Sequence, residues 1–322
     1  AFSSVTYFPS APVAAIKARA LNATVTFASG EDVAQAADLA RSADLAIVFA
    51  DQWCTEAEDL PTLSLPHDQD ALIAAVAAAN SKTIVVLETG TPVTMPWLDQ
   101  VSAVLEAWYP GTRGGEAIGR ILFGEVSPSG RLPISFPKSV DDLVRPQIPG
   151  MIFGPPEEGK TIPTSFPNVQ QHKGKFSVEH PEGADVGYRW YDRAGKAPLF
   201  PFGFGLTYTH FAYAGLQLTG GETVTASFEV KNTGAVAGVE TAQVYARIAG
   251  GQRLIGWARV ALAPGESRRV SVEADPRLLA SYDTALPGWR VAAGAVEVTV
   301  GPDAATVALK DKAVLSGRTM KP

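Results

Sequence analysis

ADLAIVFADQWCTEAEDLPTLSLPHDQDALIAAVAAANSKTIVVL, residues Ala43–Leu87, holds two short apolar runs separated by an acidic loop and an alanine-rich segment. The runs Ala43–Ala50 (ADLAIVFA) and Thr83–Leu87 (TIVVL) are continuous and rich in β-branched residues. Strands covered on both faces read this way, because a parallel sheet carries helices on each side. The intervening segment from Asp68 to Asn80 has helical spacing, with Asp68 placed as its N-cap and Asn80 as its end. Upstream, Val33–Ser42 shows the same helical spacing behind a candidate N-cap, Asp32. Downstream, a third run, Val101–Ala107, leads into YPGTRGGEAIGRILFGE, a Gly-rich turn followed by a helix. This alternation predicts an α/β fold with an open, mostly parallel sheet.

Beyond Gly124 prolines and glycines crowd in, and regular periodicity fades between Lys138 and Val186. Such a stretch reads as an extended connector. From Phe211 to Val314 the period is two: VTASFEV, TAQVYARI, IGWARVAL, RRVSVEA and GAVEVTV are strands separated by NTGAVAG, APGES and AAG turns. Seven or so strands in about 100 residues predict an all-β, immunoglobulin-like or fibronectin type III-like sandwich. The expected division is residues 1–138 for the α/β part, 139–205 for the connector and 206–322 for the sandwich.

The chain of 322 residues is 46% apolar and 19% charged, with a formal net charge of −6. This balance, without a basic cluster, argues against nucleic acid or an anionic membrane as a partner. No apolar stretch approaches the roughly 20 residues that span a bilayer. Cys54 is the one cysteine and the four histidines have no metal-like spacing, so neither an internal disulfide nor a metal site is expected. No cofactor is expected either. The glycines of Gly111–Gly115 lack the Gly-Lys-Ser/Thr and Gly-x-Gly-x-x-Gly patterns of phosphate loops and read as a tight turn. A flavodoxin-like nucleotide binder is disfavoured on that ground.

Six motifs in order resemble glycoside hydrolase family 3. They are FADQWCTEAEDLPTLSLPHDQDALI (Phe49–Ile73), VVLETGTPVTMPW (Val85–Trp97), AWYPGTRGGEAIGRILFGEVSPSGRLPISFPKS (Ala107–Ser139), VGYRWYD (Val186–Asp192), PLFPFGFGLTYTHFAY (Pro198–Tyr213) and VKNTGAVAGVETAQVY (Val230–Tyr245). The resemblance implies a β/α barrel, an α/β sandwich and a fibronectin type III-like domain, and a retaining β-glucosidase-like activity. That activity removes terminal non-reducing β-D-glucosyl units from oligosaccharides and aryl glycosides, with β-xylosides or β-glucans as alternative substrates. Nothing here resembles the barrel, which carries the family's aspartate nucleophile, or the first strand of the sandwich with its Gly-rich loop. The expectation is that an N-terminal barrel segment, cut from this chain or made as a separate one, is its partner. The rival reading is a non-catalytic carbohydrate-binding or structural module. The compartment implied is periplasmic or secreted, with the cytoplasm also open.

Retaining glycosidases need two carboxyl groups about 5 Å apart, one of them an acid that stays protonated until the leaving oxygen takes its proton. By resemblance to the family's Ser-Glu-Gly-like loop, Glu56 in Thr55-Glu56-Ala57-Glu58-Asp59 aligns with the general acid/base. Where the family often continues Gly-Tyr/Phe/Met-Asp-Arg, this chain has Ala57-Glu58-Asp59-Leu60, so Glu58 is an alternative acid. A solvated acidic loop without chemistry is the third reading. Trp53 is read as a platform for a sugar face or as packing of the loop on the barrel. Tyr188, Arg189, Tyr191 and Asp192 read either as substrate contacts or, the favoured reading, as a lock on the connector, with Arg189 pairing an acid and the rings packing. Asn232 and Gly234 read as turn residues, and the sandwich is expected to contribute no catalytic residue.

Overall fold

The computed structural model describes residues 9–56, 59–147, 151–155, 166, 168–171, 177–285 and 287–322. They form two compact units, Ala1–Glu125 with Pro137–His180, and Val126–Phe136 with Pro181–Pro322.

In the first unit the expected strand–helix alternation is present. Helices α1 (Pro12–Arg19) and α2 (Val33–Arg41) precede strand β1 (Ala46–Asp51), which is followed by α3 (Gln69–Ala79), β2 (Thr83–Glu88), β3 (Ala103–Glu106) and α4 (Gly114–Leu122). The three strands are parallel in the order β1-β2-β3. Phe49 lies opposite Val86, which lies opposite Leu105. Val85, Val86 and Leu87 are consecutive and all fully buried, so β2 is covered on both faces. Helix α3 packs on β1, β2 and α2, while α1 packs on α4. Two further short strands, β4 (Ile152–Gly154) and β5 (Val169–Gln171), pair antiparallel.

The two expected N-caps behave differently. Asp32 accepts from the Gln35 amide at 3.0 Å, as a side-chain cap does. Asp68 occupies the cap position but makes no side-chain cap bond. Its backbone is left-handed at φ 54°, after His67 at φ 58°, and this pair of residues turns the chain into α3. Asp and His are among the side chains that enter this region at lowest cost.

The second unit is the all-β body. It opens with helix α5 (Tyr188–Ala194), and its long strands are β6 (Phe211–Thr219), β7 (Thr225–Asn232), β8 (Gly238–Ile248), β9 (Gly251–Leu262) and β10 (Ser267–Glu273). These are followed by β11 (Ser281–Asp283), β12 (Gly288–Val291), β13 (Gly294–Gly301), β14 (Leu309–Leu315) and β15 (Arg318–Met320). The sheets run β10-β7-β6, β14-β13-β8-β9 and β11-β12-β15, all antiparallel. Alternate residues Val224, Ala226, Phe228 and Val230 are fully buried, as are Ala242, Val244, Val298 and Val300. The period-two pattern of the sequence is thus the inner face of a fibronectin type III-like sandwich.

The segment Val126–Phe136 pairs with the proline-rich run before the sandwich. Leu132 N donates to Phe204 O and Gly203 N to Leu132 O, each at 2.8 Å, and Phe136 bridges Phe200. Gly203 has φ +83°, and a Cβ there would strike the amide of Gln243 at 2.3 Å. A larger residue is therefore excluded twice.

Candidate functional site

Parallel strands end on the same edge of their sheet, and in open α/β sheets that carboxyl edge is where ligands bind. Asp51 of β1, Glu88 of β2 and Glu106 of β3 stand at that edge. A cleft of about 320 Å³ lies there, bounded by Asp51, Trp53, Glu88, Tyr109 and the first residues of α4.

The loop that carries the expected acid begins where β1 ends, and its root is fixed by side chains. Gln69, the first residue of α3, treats Asp51 as a strand partner. Its Oε1 accepts from the Asp51 amide and its Nε2 donates to the Asp51 carbonyl, both at 2.8 Å. Gln52 is 1% exposed. Its amide donates to Glu88 O at 3.2 Å, and its Oε1 accepts from the Thr91 hydroxyl at 2.9 Å. The Tyr109 hydroxyl donates to Gln52 O at 2.7 Å and accepts from the Cys54 amide at 3.2 Å, with the Cys54 Sγ at 3.1 Å. Burial, with the Cys54 contact, pushes the Tyr109 phenol up to about 12. The neutral phenol is the form that can donate to a carbonyl.

Trp53 is 53% exposed, with its ring centroid 6.1 Å from that of Tyr109 at an interplanar angle of 35°. Glu56 follows in a turn and is exposed, as is Asp59. Glu58 lies outside the described residues. The structure therefore puts Trp53 and Glu56 in the loop at the carboxyl edge of the sheet.

Three groups absent from the sequence-derived candidates belong to this edge: Glu88, Glu106 and Tyr109. The Glu106 carboxylate accepts from the Trp108 amide at 2.9 Å, and the Thr89 hydroxyl lies 3.4 Å from both of its oxygens. Burial pushes Glu106 up to about 7 against these hydrogen bonds. Burial also raises Glu88, and the Asp51 charge adds to it. The signal for Glu106 was a carboxylate inside the apolar run Val101–Ala107. Gln69 carried no signal, since a glutamine in the first turn of a helix is ordinary.

The Gly111–Gly115 run forms a tight turn into α4, and the amide of Gly115 donates to the Ser10 hydroxyl at 3.0 Å. The aromatic cluster at Tyr188–Asp192 lies on α5 in the second unit. Tyr188 stacks on Phe202 with centroids 5.0 Å apart, and its hydroxyl accepts from Leu254 N at 2.8 Å. Arg189 donates to the carbonyl of Ala184, and Asp192 pairs with Arg247 at 2.8 Å. These contacts fasten α5 to β8 and β9 and leave no carboxylate of the cluster over for chemistry. Asn232, read as a turn residue, is fully buried. It accepts from Thr209 at 2.6 Å and donates to Val236 O and Leu262 O.

Comparison with known proteins bears on both units. Residues 2–208 match the glycosyl hydrolase family 3 C-terminal domain, and residues 240–304 match a fibronectin type III-like domain. Beta-glucosidase B of Emericella nidulans is 37% identical over 306 residues, covering 90% of this chain and 35% of its own length. The crystal structure of DesR, a beta-glucosidase from Streptomyces venezuelae in complex with D-glucose, is 37% identical with a TM-score of 0.74, over 88% of this chain and 35% of that one. The Bifidobacterium adolescentis family 3 beta-glucosidase superposes with a TM-score of 0.80 at 32% identity, over 97% of this chain and 46% of that one. The chain spans about a third of the length of the curated relatives it matches. With the family domain matched over most of its length and the motifs in order on the observed fold, this chain belongs to glycosyl hydrolase family 3 and corresponds to the C-terminal portion of its β-glucosidases.

Proposed function

We propose that this chain is the part of a retaining exo-β-glucosidase that supplies the general acid/base, Glu56, to a barrel on another segment. The observation that carries this reading is the place of Glu56, in a loop rooted on the carboxyl edge of a parallel sheet in a family 3 chain. In the first step Glu56 gives its proton to the leaving glycosidic oxygen while an aspartate on the barrel attacks the anomeric carbon. In the second, the Glu56 carboxylate takes a proton from water, which displaces that aspartate and regenerates both groups. Two carboxyl groups about 5 Å apart are required, and Glu56 is one of them. Glu56 is exposed in this chain, and in the complete enzyme it would be covered by the barrel and substrate.

Trp53 provides an apolar ring for a sugar face beside this acid. Terminal β-D-glucosyl units of oligosaccharides and aryl glucosides are the proposed substrates, in keeping with the β-glucosidases it resembles. Among the described residues β1 pairs with β2 alone, which leaves an open edge on the sheet. We assign the sheet's remaining strand to the barrel-bearing partner, since an open parallel edge exposes unpaired donors and acceptors. No helix among the described residues is long and apolar enough to cross a membrane.

Replacing Glu56 by Gln in the enzyme completed by its barrel tests the assignment. Turnover of alkyl glucosides, which have poor leaving groups, should fall by about 10²–10⁴-fold. Activated aryl glucosides should lose far less at the glycosylation step, and azide should partly restore their turnover by replacing the activated water. The same signature in Glu58→Gln, and not in Glu56→Gln, would move the role to Glu58. Its appearance in neither variant would favour a non-catalytic module.

A further inference from the structure

One oxygen atom spans the root of the acid/base loop. The Tyr109 hydroxyl donates to the carbonyl of Gln52 and accepts from the amide of Cys54, so it closes a ring across Trp53. Bridging the backbone of residue i and residue i+2 fixes the dihedral angles between them. The chain leaves this clamp two residues before Glu56. Upstream of it, Asp51 is held on both its backbone groups by Gln69, and Gln52 by Glu88 O and Thr91. Tyr109 is thus the last tether before the acid among these bonds.

The position of Tyr109 is itself prescribed. Trp108 is left-handed at φ 52°, a costly conformation for a bulky residue, and its amide is held by Glu106 at the end of β3. The ring then passes over Gly90, just past β2. A Cβ built on Gly90 would meet the Tyr109 oxygen at 2.6 Å and the Cys54 sulfur at 2.8 Å. The ends of all three strands are therefore arranged around one phenol.

We propose that Tyr109 is the positioning residue of the acid/base loop, its hydroxyl setting the direction in which Glu56 is presented. This inference rests on the reading of Glu56 as the acid. A phenylalanine keeps the ring against Trp53 and removes both the donor and the acceptor. Misplacing an acid by about 1 Å can cost about 100-fold. The loss should fall on the step that needs a proton.

Two measurements on Tyr109→Phe test this, and Gly90→Ala, which crowds the phenol from the other side, provides a second route if the first variant folds poorly. In the 322-residue chain Cys54 is the only thiol, so its alkylation by iodoacetamide, followed by mass, reports the clamp directly. Tyr109→Phe should alkylate about fivefold faster, the change expected for losing a hydrogen bond. An unchanged rate would overturn the clamp. In the enzyme completed by its barrel, kcat/KM for an alkyl glucoside should fall by about tenfold or more, and for a dinitrophenyl glucoside by less than about threefold. Equal losses on both substrates would mark a merely structural residue and overturn the positioning role. Glu56→Gln is measured beside it. If that variant shows no dependence on the leaving group, the acid assignment fails and takes this role with it. If it does and Tyr109→Phe does not, only the positioning role fails.

Discussion

Glu106 shows how far a single residue at this edge is set by its surroundings. Its carboxyl group sits at the end of β3, and burial of the carboxyl group holds it near 7 against an ordinary value of 4.5. Because the folded value is the higher one, the native state holds the proton more tightly than the unfolded chain. The resulting stability is fully present below about pH 4.5 and is lost as pH rises through about 7. Glu106→Gln removes the titration and keeps an oxygen to accept from the Trp108 amide. The variant should therefore gain on the parent as pH rises, by on the order of 2 kcal/mol between pH 5 and pH 8. Thermal melts of both proteins across that range check this, and a constant difference would contradict it. The loop that holds Trp53 and Glu56 was legible because the motif around it resembles a family. The roles of Glu106 and Tyr109 were not, since they arise from hydrogen bonds between strand ends: Thr89 to Glu106, 17 residues away, and Tyr109 to Gln52 and Cys54, 57 and 55 residues away.

At the scale of elements, β2 is the strand on which the first unit depends. It is central, paired on both sides and buried on both faces. Val86→Ala should cost about 2 kcal/mol, the loss of buried methyl groups plus the cavity they leave. Denaturant unfolding followed by the tryptophans of this unit would measure it, and a cost under about 0.5 kcal/mol would contradict the packing described. This strand was evident in TIVVL, where continuous apolar residues without alternation can only be satisfied by cover on both sides. The start of α3 was less so, because the turn at His67–Asp68 depends on a left-handed backbone that a side-chain pattern does not encode. Helix α5 was read as a cluster rather than a helix. Seven residues with three aromatics give too little periodicity, and what holds it is packing on β9 and the Asp192–Arg247 pair.

At the scale of the whole molecule, the sandwich was legible from alternation alone, strand after strand. The return of Val126–Phe136 to the second unit was not, since it rests on backbone pairing between Phe136 and Phe200 and between Leu132 and Phe204. Such pairing leaves no trace in composition. The chain has an acid at one sheet edge and needs a second carboxylate about 5 Å from it for a double displacement. On the proposed function, that requirement makes the barrel a condition of activity rather than an accessory to it. The direct test is hydrolysis of an aryl β-glucoside by the purified 322-residue chain, first alone and then after addition of the barrel segment. The chain alone should be inactive, with turnover appearing on reconstitution. Measurable hydrolysis by the chain alone, free of any second polypeptide, would contradict the account.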